Sequence, residues 1–150
     1  MNALNTVNPP KNEPIFKYLK GSKERERLFQ EYDKMWATEY KIPLIIGGKE
    51  IFTEKTQRIV CPHDHQHNLG TYCMAGAKEI QMAIDAAMAA KAQWENLDWF
   101  ERVSIFLKAA ELISTKYRYI LNAATMIGQS KNIFQAEIDA TCELADFFRF

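Results

Sequence analysis

The chain has 150 residues, 47% apolar and 25% charged, the balance of a globular domain with a real core; a disordered or fibrous chain is excluded. Its 19 basic and 19 acidic side chains cancel, so charge gives no argument for a nucleic-acid or anionic-membrane partner, and no run is apolar for long enough to span a bilayer. Three unevenly spaced cysteines, Cys61, Cys73 and Cys142, point to reduced thiols rather than a disulfide framework.

Residues 1–21 are rich in Asn and Pro and are expected to form an extended arm over the surface of something larger. The first twenty carry Lys11, Lys17 and Lys20 but no Arg, no Ser and no apolar run. They read as neither a secretory signal nor a mitochondrial transit peptide, and a cytoplasmic protein is the expectation. Ser22 is placed to cap a helix with Glu24 and Glu26 in its first turn, where the helix dipole favours negative charge. Leu28, Tyr32 and Met35, flanked by Phe29 and Trp36, give that helix an apolar side, and Pro43 closes the region.

Leu44, Ile45 and Ile46, then Gly47 and Gly48, then Ile51 and Phe52 make a two-residue hairpin signal. Residues 57–60 read as a further extended run, 61–68 (CPHDHQHN) as a turn, and 69–74 as another short strand. From Ala77 onward the pattern is helical. Ile80, Ile84, Ala87 and Met88 line one face of a first helix that closes near Trp94. Asp98 caps a second, with Glu101 at the capping-box position and Val103, Phe106, Leu107, Ala110 and Ile113 on its buried side. Tyr117, Ile120, Leu121 and Ala124 mark a third, ended by Gly128, and a fourth runs from near Asn132 to Phe150.

That fourth helix carries two apolar sides. Phe134, Ile138, Thr141, Ala145 and Phe148 form one stripe, while Ala136, Ala140, Phe147 and Phe150 lie roughly opposite at about 100° per residue. Such a helix is expected between two layers, its second neighbour coming from polypeptide outside these residues. Glu143 falls among the second set. A carboxylate there is either paired with Lys or Arg, at a rim, or in a site, and Asp139 one turn earlier can share either role.

Few other residues suggest chemistry. His63, His65 and His67 alternate and follow Cys61; in an extended segment they would share one face and could hold zinc. The plainer reading is a polar turn, because flat alternate-residue ligation with no fourth ligand is a poor match to known site spacings. Cys73 and Cys142 have no neighbouring His and read as small buried hydrophobes. Gly47 and Gly48 are too short for a phosphate cradle, no G-x-G-x-x-G or P-loop occurs, and 128–131 (GQSK) reads as a helix stop and restart.

The order of segments resembles the amino-terminal part of the aldehyde dehydrogenase fold. The resemblance is carried by IIGGKE at 45–50, by AIDAA at 83–87 running on to Trp94, and by RVSIFLKAAEL at 102–112. Within that superfamily the similarity is closest to the pyrroline-5-carboxylate dehydrogenases, through NEP at 12–14, GSKER at 21–25, the turn holding Pro62, His65 and His67, TMIGQSK at 125–131, QAEID at 135–139 and ELADFFRF at 143–150.

The resemblance implies an α/β architecture of arm, helix, β-hairpin and four helices, with 1–21 as arm and 22–150 as an incomplete amino-terminal part of the NAD-binding domain. It implies NAD-dependent oxidation of L-glutamate γ-semialdehyde, the open form of 1-pyrroline-5-carboxylate, to glutamate in proline catabolism. In that reaction a cysteine thiolate attacks the aldehyde, hydride leaves to NAD, and a glutamate-activated water releases the acid. No residue here matches the family's nucleophile, general base, oxyanion asparagine or cofactor loops, so the segment alone is expected to be inactive. One substrate contact is implied: Glu143 matches the family glutamate on the wall of the aldehyde tunnel, where a carboxylate can face the substrate's ammonium group. The implied partner is this small molecule, without nucleic acid or membrane, in a homo-oligomer when complete. A chain that opens on the arm is expected to be the separate dehydrogenase rather than a fused proline-oxidising form. The rival reading is a stand-alone helical module that binds another protein through the last helix.

Overall fold

The computed structural model describes residues 8–150. They fall into two compact units, Lys34–Leu97 and the residues on either side of it. The first seven residues of the expected arm lie outside the described residues. None of the described helices is long and apolar enough to cross a membrane.

Helix α1 (Lys23–Trp36) begins as expected: the Ser22 hydroxyl accepts from the Arg25 backbone N–H at 3.3 Å, and Leu28 is wholly buried. In the Lys34–Leu97 unit the elements are β1 (Tyr40–Ile42), β2 (Leu44–Ile46), β3 (Lys49–Ile51), β4 (Thr56–Cys61), β5 (Asp64–Cys73) and α2 (Ala77–Asn96). Strands β2 and β3 pair antiparallel through Gly47 and Gly48, whose φ values of 56° and 75° are what a two-residue turn matched to strand twist demands.

A second sheet has the order β1-β5-β4, with β1 parallel and β4 antiparallel to β5. Strand β1 is absent from the sequence reading; three exposed residues give no burial period to detect. It is admitted by Gly70, at φ 130° in the middle of β5. A Cβ on Gly70 would stand 1.9 Å from the Tyr40 carbonyl oxygen.

The expected turn over 61–68 and short strand over 69–74 are corrected together. Strand β5 starts at Asp64, so His65, Gln66, His67 and Asn68 are strand residues and the turn shrinks to Pro62 and His63. Pairing with β4 extends the strand through polar residues, with a bulge where the register slips between Ile59 and Cys61.

Helix α2 starts where expected, the Glu79 carboxylate accepting from the Gly76 N–H at 2.8 Å. Its apolar face is a correction of another kind, since no residue of α2 is buried and Ile80, Ile84 and Met88 are exposed among the described residues.

The other unit contains α3 (Trp99–Ser114), α4 (Arg118–Gln129), α5 (Ile133–Ala136), a π-helical stretch (Glu137–Cys142) and α6 (Glu143–Arg149). Asp98 caps α3, accepting from Phe100 N–H at 2.9 Å, and Asn132 caps α5 in a reciprocal box with Gln135. Helix α4 runs one residue past Gly128, and Ser130 takes the left-handed stop at φ 57°. Its expected apolar stripe is also displaced. The buried residues are Arg118, Asn122, Ala123, Met126 and Ile127, while Tyr117 and Ala124 are exposed. A polar pair leads the buried face, which apolar spacing cannot reveal.

The last helix is not one continuous α-helix. Over Glu137–Cys142 the hydrogen bonds lengthen by one residue, as from the Glu143 N–H to the Ile138 carbonyl. Ala136 and Ala145 are nine positions apart, half a turn out of phase at about 100° per residue, yet both are completely buried. The π stretch folds part of each expected stripe onto one side. Of the two-sided expectation, Phe147 and Phe150 remain, 77% and 73% exposed.

Candidate functional site

The π stretch carries the buried polar centre of its unit. Glu137 is fully buried and its carboxylate is claimed from four directions. Arg118 approaches through Nη2 and, at 3.3 Å, through Nε; Tyr18 Oη donates at 2.7 Å, Asn122 Nδ2 at 2.8 Å and the Phe16 N–H at 2.8 Å. One turn on, the buried Thr141 hydroxyl donates to Asn122 Oδ1 at 2.7 Å. Helix α4 therefore holds the chain at both Glu137 and Thr141, which stand one turn apart on the inner side.

Burial alone would push the Glu137 carboxyl up. The Arg118 guanidinium, the Phe16 N–H, Tyr18 and Asn122 outweigh it, and the carboxyl is held below its ordinary range. Arg118 is likewise pulled by burial toward losing its proton, but its bonds to Glu137 and Glu13 hold it above its usual value. Burial, then the proton shared toward Glu137, raises Tyr18 above a free phenol. Arg118 also donates to Glu13 Oε1 at 2.6 Å and to the Pro14 carbonyl at 2.7 Å, and its guanidinium lies 3.6 Å from the Phe16 ring centroid.

These contacts fix the arm. Glu13, Pro14, Phe16 and Tyr18 are all bound to the helices of their own unit, so the expected surface arm lies first on this chain itself. The attachment continues outward. Glu13 Oε2 takes Arg149 Nη2 at 2.8 Å, and Asp146 accepts from the Glu13 N–H and from Asn12 Nδ2, each at 2.8 Å.

Immediately after the π stretch stands Glu143, the first residue of α6. It is exposed, and no described residue bonds or pairs with its carboxylate, so the expected alternative of an ion pair with Lys or Arg is not realised here. Asp139, its expected companion, is instead paired with Lys131 at 2.6 Å. Glu143 lines a depression of about 350 Å³ with Asn12, Asp146, Phe147 and Phe150. An anionic acceptor in a depression that two phenyl rings also line suits a cationic group attached to an apolar or short-chain body. Reading the sequence did not single out Asn12, Glu13, Arg118, Asn122 or Glu137. The NEP and QAEID segments contain three of them, but nothing in their spacing shows that a glutamate in a helix will be buried.

The histidines are occupied differently. His67 stacks on the Trp36 ring at 3.9 Å with an interplanar angle of 6°, His63 stacks on the same ring at 5.9 Å, and His63 lies 3.4 Å from Cys61 Sγ. Among the described residues no group of three or more His, Cys, Asp or Glu is arranged to hold a metal.

Cys142 does not have the setting of a nucleophile. All three cysteines are buried, and burial together with the charge of Glu137 pushes the Cys142 thiol up to about 12, so it is not a thiolate at neutral pH. The one adjacent pair of glycines forms the hairpin turn, and the Gly76 N–H at the start of α2 is taken by Glu79.

Comparison with known proteins adds the context. The model of the aldehyde dehydrogenase family matches residues 51–150. The chain is 50% identical over 141 residues to a probable δ-1-pyrroline-5-carboxylate dehydrogenase of Schizosaccharomyces pombe, covering 93% of this chain and 26% of the relative. It is 40% identical over 139 residues to the human mitochondrial δ-1-pyrroline-5-carboxylate dehydrogenase, covering 93% of this chain and 25% of the relative. The crystal structure of the δ-pyrroline-5-carboxylate dehydrogenase from Mycobacterium tuberculosis bound with NAD and cobalamin superposes with a TM-score of 0.96 at 42% identity, over 100% of this chain and 28% of that one. The chain thus spans about a quarter of the length of the curated relatives it matches.

Proposed function

The chain belongs to the aldehyde dehydrogenase family, and from that premise we propose that it forms part of the apparatus for NAD-dependent oxidation of L-glutamate γ-semialdehyde, in equilibrium with 1-pyrroline-5-carboxylate, to glutamate. One observation carries the reading: 42% identity to a pyrroline-5-carboxylate dehydrogenase is matched by a backbone agreement of 0.96 over the whole chain.

The division of labour follows from the side chains. Oxidation of an aldehyde through an acyl intermediate needs a thiolate, a base and oxyanion donors. Cys142, whose thiol is pushed up by burial and by the charge of Glu137, is no such thiolate, and we assign no residue here to NAD. What this chain contributes is recognition. We assign Glu143 to the α-ammonium of the substrate: its carboxylate is exposed, has no described partner, and opens into the depression beside Phe147 and Phe150. The buried Arg118–Glu137 cluster holds the start of α6, and with it Glu143, in place.

The test is steady-state NADH formation by active dehydrogenase carrying this segment. The proposal expects kcat/KM for pyrroline-5-carboxylate to exceed that for a simple aliphatic aldehyde such as propanal. Equal or reversed preference contradicts it.

A further inference from the structure

Resting on the reading of Glu143 as the ammonium contact, we propose that Asn12, carried by the amino-terminal arm, is a second specificity-determining residue of the same site. The argument starts from the arm. Residues 8–19 have no helix or strand of their own, so their position depends on what grips them. At Asn12 the grip comes from Asp146, one turn beyond Glu143 on α6. One Asp146 oxygen accepts from the Asn12 side-chain amide at 2.8 Å. The other accepts from the next backbone N–H, that of Glu13, at 2.8 Å, and from Arg149 Nη1 at 3.3 Å. Both oxygens are therefore engaged. Asp146 borders the depression but is committed to the arm.

Asn12 is not spent in the same way. Its carboxamide has two N–H donors and an acceptor oxygen. One donor goes to Asp146, and no described residue takes the others. The side chain is exposed and lines the depression with Glu143, Phe147 and Phe150. An ammonium group has three donors, more than one carboxylate in this setting satisfies. The Asn12 oxygen is an acceptor of a second proton, set at a fixed place by the bond from its own nitrogen to Asp146. Recognition of the amino-acid end of the aldehyde is thus shared between α6 and the arm.

The experiment compares two aldehydes of the same chain length, glutamate γ-semialdehyde and glutarate semialdehyde, which lacks the ammonium group. Losing a hydrogen bond to a charged group is worth about ten-fold in affinity. In Asn12→Ala, and again in the similarly sized Asn12→Leu, KM for the ammonium-bearing substrate should rise about ten-fold at unchanged kcat. KM for glutarate semialdehyde should not move. An equal rise for both substrates, or no rise, overturns the proposal and reduces Asn12 to a latch for the arm. Glu143→Ala separates the two readings. If it costs selectivity while Asn12→Ala does not, this inference alone fails; if Glu143→Ala costs none, the ammonium site itself is wrong and Asn12 falls with it.

Discussion

Arg118 and Glu137 sit at 1% and 0% exposure, where two opposite charges are stable only if every donor and acceptor is used. Here Glu137 receives Arg118, Tyr18, Asn122 and a backbone N–H, and Arg118 has Glu13 as a second carboxylate. Glu137→Gln should cost about 3 kcal/mol, the low end for breaking a buried pair, because Glu13 still compensates Arg118. Urea unfolding measures it. The Glu137 carboxyl is held below its ordinary 4.5, so its contribution is complete above that pH and disappears as pH falls through the lowered native value. The stability of the native sequence should therefore drop below about pH 4.5, and that of Glu137→Gln should drop less. Glu143 belongs to the other kind of residue. Exposed and outside the buried cluster, it should be replaceable by Ala within about 0.5 kcal/mol of stability, while KM for the semialdehyde rises and KM for NAD changes less.

At the scale of elements, two backbone devices organise the chain. Gly70 lets β1 lie against β5, and Gly70→Ala would drive a methyl into the Tyr40 carbonyl. That substitution should cost well over ~1 kcal/mol and should speed amide exchange in β1 above all. Unchanged protection there would contradict the role given to Gly70. The π stretch is the second device. The sequence shows its trace as a helix apolar on two sides, and the physical resolution is a change of period rather than two covering layers alone. Elements built on local signals were legible: the Ser22 and Asp98 caps, the Gly47 and Gly48 turn, and the starts of the long helices, the last near Asn132 among them. Strand β1 and the first half of β5 were not, because Tyr40, Lys41, His65 and Gln66 are placed by pairing with distant backbone rather than by their own pattern. The candidate site was half legible. Glu143 came through family resemblance, whereas Asn12 and Asp146 meet across 134 positions of sequence, a distance no local pattern spans.

Across the whole molecule, apolar surface is the dominant unsettled quantity. In the Lys34–Leu97 unit Ile45, Phe52, Ile80, Ile84 and Met88 are exposed; in the other unit Phe134, Phe147 and Phe150 are. Large apolar side chains left exposed in each unit mark contact with further protein or with ligand. The 150-residue chain on its own should bind a hydrophobic dye such as ANS and self-associate with rising concentration. Low ANS binding with a sharp, concentration-independent melt would contradict this. The most direct measurement is the ratio of kcat/KM for glutamate γ-semialdehyde over glutarate semialdehyde, in active dehydrogenase carrying this segment and in its Glu143→Ala variant. The account predicts a clear preference for the ammonium-bearing aldehyde that collapses when Glu143 is removed. A ratio near one in the native sequence, or one that survives the substitution, would contradict it.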